Sequence, residues 1–236
     1  MKRENLIETE LKLPLIQLNV PATPSAYPRE SFEGHFIKKL LEGLKQSDSS
    51  ESLFHLEMVG RLSEFLCEKL GKSTRETSEI GLFARLHDIG KIGIPREILN
   101  KRGRLTSQEF DVMKKHTDIG YYLLEGLKVS QEGLEIIKYH HEKWDGTGYY
   151  GLEEENIPQS ARIVAIADVY DALRMERPYK NAFTHEEALE IILGDRGTHF
   201  DPEITDIFSH YEEEIENMYE AINVYTKADK NGKSVA

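Results

Sequence analysis

Helix-start signals recur along this chain and constrain its fold more than any other sequence feature. In a capping box, a Ser or Thr and the Glu three residues later cap the backbone amides of a helix's first turn. This spacing occurs at Ser73 and Glu76, at Thr106 and Glu109, and at Thr184 and Glu187. Asp201 before Pro202 marks a fourth start, since proline fits the first position of a helix. We therefore predict an all-α fold.

Apolar residues recur at helical spacing through most of the chain from Ser31 onward. We predict helices at residues 31–46, 51–70, 74–89, 107–127, 130–143, 159–174, 185–194 and 202–222. The segment LKLPLIQLNV alternates like a strand, and the three prolines of PATPSAYP indicate an extended linker after it. We accordingly expect an irregular or strand-containing N-terminal appendage (1–30), a helical domain (31–222) and a polar C-terminal tail (223–236).

Charge and apolar content disfavour several classes of partner. The formal net charge of −12 argues against nucleic acid polymers and anionic membranes, because these partners attract basic surfaces. A small phosphate ligand remains compatible, since cations bound close to it outweigh distant acids. No apolar run is long enough to span a bilayer, no signal peptide is visible, and the single cysteine, Cys67, lacks a second cysteine for an intramolecular disulfide. We expect a cytoplasmic protein in which Cys67 is a core residue.

Imidazole and carboxylate side chains recur within the predicted helices and at their ends. The candidates are Glu51, His55, His87, Asp88, His116, His140, His141 and Asp168. Ligands of this kind, without cysteine, suit iron, manganese or zinc at a catalytic site. Eight are too many for one ion, whereas two or three neighbouring ions activate a water and orient a phosphoryl group in phosphate ester hydrolysis.

Single positions in this set leave alternatives open. Asp168 lies in an apolar segment, where an unpaired buried carboxylate costs several kcal/mol. Either a metal ion or a salt bridge to a basic residue would offset that cost. Asp171, three residues later, is the expected supporting acid. His116, taken alone, fits a structural or surface histidine better than a ligand.

Five blocks of the sequence resemble the HD-GYP domain, a bacterial branch of the HD phosphohydrolase superfamily. In chain order they are HDIGKIGIPREILNKRGRLTSQEF, MKKHTDIG, HHEKWDGTGYY, ARIVAIADVYDALRMERPYK and GTHFDPEI. The resemblance extends over about residues 51–208. It implies an HD-domain helical bundle with the HD-GYP extension. It also implies hydrolysis of the second messenger cyclic di-GMP to pGpG and onward to GMP, and some family members act on cyclic GMP-AMP.

By this resemblance the eight candidates look like the metal ligands, and Glu51 looks like the variant that holds three ions instead of two. The implied ions are iron or manganese, with zinc also suitable. Lys91 resembles the lysine near the scissile phosphate, where it would stabilise developing charge or protonate the leaving oxygen. Arg177 and Lys180 look like the phosphate-binding pair. Tyr149 matches the tyrosine of the family name and is expected to face a guanine or a phosphate.

The sequence departs from the family pattern at two positions. Tyr150 stands where the family has proline, and we expect a freer and bulkier loop because proline fixes φ. Met58 stands where an arginine is usual, three residues after His55, so a charge near the ligands is missing. Trp144 is expected to pack this loop and not to stack on a base.

The first hypothesis is a cyclic di-GMP phosphodiesterase in which a hydroxide bridging the metal ions attacks phosphorus. The alternative is a catalytically weak module that binds a cyclic dinucleotide or recruits a partner such as a diguanylate cyclase, and Tyr150 and Met58 motivate it. A third hypothesis is an HD phosphohydrolase for another nucleotide. The fourth is a metal-free helical scaffold, which would have to satisfy all these histidines and acids within its core.

Overall fold

The computed structural model describes residue 39 and residues 53–127, 129–175 and 182–230, with only the backbone at 53 and 222–230. Within these ranges the chain forms ten α-helices and two short 3-10 helices. The α-helices are α1 (Leu53–Lys69), α2 (Thr74–Ala84), α3 (Arg96–Leu99), α4 (Ser107–Lys114), α5 (His116–Glu125), α6 (Gln131–Tyr139), α7 (Gln159–Arg174), α8 (His185–Gly194), α9 (Pro202–His210) and α10 (Glu212–Lys230). The 3-10 helices are Ile89–Gly93 and Glu154–Asn156.

The predicted all-α class is confirmed, since the described ranges contain a single isolated β-bridge, between Arg196 and Phe200, and no strand. The expected N-terminal strand lies outside the described residues, as does nearly all of the predicted helix 31–46. The division of the chain at residue 30 stays a prediction.

All four predicted helix starts are confirmed. Ser73, Thr106 and Thr184 each accept a hydrogen bond from the backbone amide of the Glu three residues later, and each Glu side chain accepts from the cap residue's amide. Asp201 caps α9 by accepting from the amides of Glu203 and Ile204. These caps are local in sequence, which is why spacing alone identifies them.

Two predicted helices are wrong in extent and a third ends four residues early, and each one ends or is interrupted near a candidate ligand. The helix predicted at 74–89 ends at Ala84, the one at 107–127 is interrupted at Lys115, and the one at 130–143 ends at Tyr139. At each break an imidazole N–H donates to a backbone carbonyl three or four residues earlier. The pairs are His87 Nδ1 to Ala84 O (2.8 Å), His116 Nδ1 to Met113 O (2.8 Å), and His140 Nδ1 to Ile136 O (3.1 Å) and Ile137 O (3.0 Å). The rings thus take carbonyls that a continuing helix would use.

The C-terminal part also differs from the prediction. The helix predicted at 202–222 is two helices that meet at Tyr211, and α10 continues to Lys230, past the predicted start of the tail. Three glutamates, Glu212 to Glu214, occupy the first turn of α10, where the helix dipole favours negative charge. No helix-breaking residue interrupts α10 before Gly232. The short helix α3 was not predicted.

Helices α1 and α7 lie at the centre of the packing. Helix α1 contacts α2 and α7, α6 contacts α2, α5 and α7, and α8 and α9 pack against α7. Leu62, Ile166 and Phe208 are among the fully buried side chains of this core. Burying one such side chain is worth about 1.5–3 kcal/mol. The central pair of helices therefore gives rigid support to the side chains they carry.

Glycine permits a close approach between the first 3-10 helix and α5. A Cβ atom at Gly90 would lie 1.8 Å from the His116 carbonyl oxygen, and one at Gly120 would lie 3.2 Å from the Gly90 amide nitrogen and 2.7 Å from Ile137 Cγ2 on α6. Only hydrogen fits at these two positions. The contact brings the His87–Asp88 turn next to the start of α5.

Met58 and Cys67 both lie on the buried side of α1. Met58 is fully buried in the apolar core, so it adds packing where the family has a charge. Burial raises the pKa of the Cys67 thiol to about 12, as expected for a core residue and not for a nucleophile. Among the described helices, none combines the length and apolar character needed to cross a bilayer.

Candidate metal centre

Seven of the eight candidate ligands converge from five segments of the fold. They are His55 on α1, His87 and Asp88 between α2 and the first 3-10 helix, His116 at the start of α5, His140 and His141 after α6, and Asp168 on α7. Glu51 lies outside the described residues. The seven fall into two groups, each with its ligand atoms close together.

The Asp88 group comprises Asp88, His116, His140 and His141, whose ligand atoms all lie within 4.8 Å of one another. Asp88 Oδ1 is 3.1 Å from His116 Nε2 and 3.8 Å from His140 Nε2. The two imidazole nitrogens are 3.4 Å apart. One carboxylate and three imidazoles thus surround a single point.

The His55 group comprises His55, His87 and Asp168, again with all ligand atoms within 4.8 Å. Asp168 Oδ1 is 3.3 Å from His55 Nε2 and 3.7 Å from His87 Nε2. The same His87 nitrogen is 3.1 Å from Asp88 Oδ2, so the two groups adjoin. Asp88 faces both of them, one oxygen toward each.

The imidazole rings are oriented by their outer nitrogens. His87, His116 and His140 donate from Nδ1 to backbone carbonyls, and these bonds turn Nε2 of each ring toward the centre. His55 is held differently, with Nδ1 2.6 Å from Asp171 Oδ2. Outer contacts of this kind fix ring orientation in metal sites. Asp171 thus occupies the supporting position predicted for it.

Unsatisfied buried atoms point to a cation. Among the described residues, His87 Nε2 and Asp88 Oδ1 are buried and have no well-formed hydrogen bond. Burial opposes ionisation of Asp88, yet the charges of Lys91 and His87 hold its pKa well below the usual range. A buried carboxylate surrounded by inward-facing imidazole nitrogens fits a divalent metal ion, which would satisfy these atoms.

Lys91 lies at the edge of the Asp88 group. It belongs to the first 3-10 helix, one turn after Asp88, and its Nζ is 2.7 Å from Asp88 Oδ2. The side chain is mostly buried, at 16 % exposure. An ammonium group is therefore held beside the candidate ligands.

Aromatic rings border the same group. The Tyr149 ring centroid is 4.6 Å from that of His141 and 6.0 Å from that of Phe110. Burial raises the pKa of Tyr149 to about 12, so its phenol stays neutral and remains a hydrogen-bond donor. Phe110 is 45 % exposed beside this site, and nothing in its sequence context singled it out. Arg177 and Lys180, the predicted phosphate-binding pair, lie outside the described residues.

The loop after His141 contacts the rest of the fold through Trp144 and Tyr150. Trp144 packs under the Arg162 guanidinium, 5.4 Å from the ring centroid, and its amide donates to the His199 carbonyl. At Tyr150, where a freer loop was predicted, the side chain and the amide are both hydrogen-bonded. The amide donates to Glu142, a buried acid that was not singled out although it directly follows the histidine pair.

Comparison with known proteins adds independent support for the fold and family. A family model described as HD domain matches residues 37–204. A cyclic di-GMP phosphodiesterase of Thermotoga maritima is 44% identical over 186 residues, covering 78% of this chain and 50% of that protein. The cyclic di-GMP phosphodiesterase response regulator RpfG of Xanthomonas campestris is 42% identical, covering 80% of this chain and 50% of that protein. The 3′3′-cGAMP-specific phosphodiesterase 2 of Vibrio cholerae is 39% identical, covering 72% and 33%.

Solved structures share the fold at lower identity. A cyclic GMP-AMP specific phosphodiesterase of V. cholerae matches with a TM-score of 0.56 at 19% identity, covering 78% of this chain and 48% of that chain. The HD domain of the L. monocytogenes phosphodiesterase PgpH, in complex with cyclic-di-AMP, matches with a TM-score of 0.55 at 21% identity, covering 78% and 96%. The chain spans about half the length, or less, of the curated relatives named above. The chain belongs to the HD domain family, in its HD-GYP branch.

Proposed function

We propose that this chain is a metal-dependent phosphodiesterase that hydrolyses cyclic di-GMP to pGpG, to GMP, or to both. The observation that carries the proposal is the convergence of seven imidazole and carboxylate side chains from five segments, two of whose buried atoms lack hydrogen bonds among the described residues. The T. maritima and X. campestris relatives, both named as cyclic di-GMP phosphodiesterases, support the same substrate.

The two groups would hold the metal ions. The Asp88 group supplies three imidazoles and a carboxylate, and the His55 group supplies two imidazoles and a carboxylate. Nitrogen and oxygen ligands without thiolate favour iron or manganese, and zinc also accepts them. When bound, such ions supply Lewis acidity for hydrolysis of a phosphodiester. Glu51 would add a ligand for a third ion.

Residues around the centre would bind and orient the substrate. Lys91 would place its ammonium group near the reacting phosphate, where it stabilises developing charge or donates a proton to the departing 3′ oxygen. Tyr149 would donate from its neutral phenol to a phosphate or face a guanine. Arg177 and Lys180 would bind the phosphates by charge-assisted hydrogen bonds.

The direct test is an assay on protein purified anaerobically, stripped of metal and reloaded with Fe²⁺ or Mn²⁺. Cyclic di-GMP is added, and pGpG is separated from GMP. We expect turnover only after metal loading and its loss in His87→Ala. The matched control is His210→Ala, which changes an exposed histidine at the end of α9. Turnover by metal-stripped protein would contradict the proposal.

A second substrate is 3′3′-cGAMP, because a V. cholerae relative at 39% identity is named for it. Parallel assays with cyclic di-GMP, 3′3′-cGAMP and cyclic di-AMP rank the three by kcat/KM. The alternative of a binding module predicts calorimetric binding without product after long incubation. Neither Tyr150 nor Met58 removes a candidate ligand from either group, so neither residue favours that alternative.

A further inference from the structure

We propose that Tyr150 is a positioning residue that fastens the 142–152 loop to the segments carrying the Asp88 group, and thereby holds Tyr149 beside His141. The effect on turnover rests on the proposed function. The effect on the loop does not. Tyr150 stands where the family pattern has proline.

The first fastening is through the backbone. Glu142 directly follows His141 and is 2 % exposed, and its two oxygens accept hydrogen bonds from the amides of Tyr150 and Leu152, each at 2.7 Å. Proline has no amide hydrogen, so the bond from position 150 exists because this residue is not proline. Glu142 thus joins the end of the loop to its first residue through two hydrogen bonds.

The second fastening is through the phenol. Tyr150 Oη is 2.6 Å from Thr117 Oγ1 and 2.9 Å from Asp118 Oδ1. Both partners lie in the first turn of α5, immediately after His116. A hydroxyl that donates to a carboxylate forms a stronger bond than a neutral pair does.

The third fastening is through the ring face. The Tyr150 ring packs edge-on against Tyr139, with centroids 5.6 Å apart, and Lys138 Nζ lies 5.3 Å from its centroid. Both partners belong to the last turn of α6, directly before His140. One side chain therefore contacts the segments that carry His116, His140 and His141.

These contacts transmit to Tyr149 through a tightly packed backbone. A Cβ atom at Gly148 would lie 2.5 Å from Glu142 Cα, so the backbone just before Tyr149 packs directly against the backbone at the start of the loop. Tyr149 lies between this contact and the Tyr150 anchor. The rigidity that proline gives the family motif is supplied here by a side chain.

The experiment compares Tyr150→Phe, which removes only the hydroxyl, with Tyr122→Phe, which removes the hydroxyl of an exposed tyrosine on α5. Amide hydrogen exchange is measured on the metal-loaded protein without nucleotide. In Tyr150→Phe we expect exchange at residue 150 and at Leu152 to rise about tenfold, because loss of one charge-assisted hydrogen bond makes local opening easier. Tyr122→Phe should match the wild type.

Turnover kinetics distinguish a positioning role of Tyr150 from general destabilisation of the protein. With Mn²⁺ and cyclic di-GMP, Tyr150→Phe should raise KM about fivefold to tenfold and change kcat less than about twofold, since the ligands are intact. Wild-type exchange in Tyr150→Phe, or an unchanged KM, overturns the proposal. If the wild-type protein hydrolyses no cyclic dinucleotide, the proposed function fails, and the exchange measurement alone still decides whether Tyr150 holds the loop.

Discussion

The two groups of candidate ligands use the same residue types in opposite electrostatic settings. In the Asp88 group, burial lowers the pKa of His140 and of His141, so these rings stay neutral and their lone pairs are available. In the His55 group, burial also opposes protonation, but Asp168 and Asp171 raise the pKa of His55 well above its usual value. The cause is the ratio of carboxylates to imidazoles. The Asp88 group has one carboxylate for three imidazoles, whereas the His55 group has one for two and a second carboxylate, Asp171, behind it.

The groups also differ in how far along the chain their support comes from. In the Asp88 group, His116 and His140 are oriented by carbonyls three or four residues away. In the His55 group, His55 is oriented by Asp171, which is 116 residues away and lies on a different helix. Local support, which His87 also has, forms with the helix itself, whereas His55 needs α1 and α7 to be packed together. The His55 group is accordingly the one that a distant change can disturb alone.

The largest effect is expected from Asp88→Asn, which alters the residue shared by both groups. Asp88 faces His116 with one oxygen and His87 with the other, so the change should weaken metal binding in both groups. We expect turnover of cyclic di-GMP to fall on the order of 10³-fold. Metal content and initial rates are measured against Asp111→Asn, a surface acid paired with Lys114. Full metal content in Asp88→Asn would break the picture of a shared ligand.

The next effect is expected from Lys91→Met, which keeps the side chain's length and removes its charge. Lys91 contacts Asp88 and is not a candidate ligand, so metal content should stay within about twofold of wild type. We expect kcat to fall about 10²–10³-fold, the usual cost of losing one group that stabilises transition-state charge. Lys101→Met, which changes a lysine paired with Glu109, is the control. Parallel loss of metal and rate would assign Lys91 to ligand support instead.

A smaller and one-sided effect is expected from Asp171→Asn. Removing the charge behind His55 should weaken metal binding about 10–100-fold in the His55 group, as loss of an outer-layer carboxylate usually does. Sites of the Asp88 group should keep their affinity, because none of its rings contacts Asp171 through a bond seen in the described ranges. Calorimetric titration with Mn²⁺ resolves the two classes, and Asp206→Asn, at a surface pair with Arg196, is the control. If Asp171→Asn weakened Mn²⁺ binding equally in both classes of site, the two groups would act as one site.

Local sequence patterns were sufficient for the helix starts and insufficient for the helix ends. Ser73, Thr106 and Thr184 cap helices through partners three residues away, so spacing carries all the information needed. The breaks beside His87 and His116 depend on rings that turn inward to the centre, and this orientation follows from tertiary packing. Periodicity alone continues a helix through such positions.

The site shows the same division. The sequence indicated the candidate ligands, and seven of them lie together, while their roles as ligands stay a prediction. The contacts of Tyr150 were not predicted, because its partners, Thr117 and Asp118, lie 33 and 32 residues away in the sequence. Substituting a tyrosine for a proline removes a backbone constraint and adds a side chain. Only the folded chain shows which partners that side chain contacts.

The smallest effect is expected on the labelling rate of Cys67, which tests whether Asp171→Asn disturbs only the His55 group. Cys67 lies on the buried side of α1, the helix that carries His55, and burial raises the pKa of its thiol to about 12. At pH 8 only about one thiol in 10⁴ is then ionised, so labelling by a disulfide reagent should be slow and should report opening of α1. We expect wild type and Asp171→Asn to be labelled at rates within about twofold of each other. Faster labelling in Asp171→Asn would mean that the packing around α1 has loosened. The loss of metal from the His55 group alone would then result from loosened packing of α1. The two groups would differ in the stability of the core around them, and not in whether their ligands are supported locally or from a distant residue.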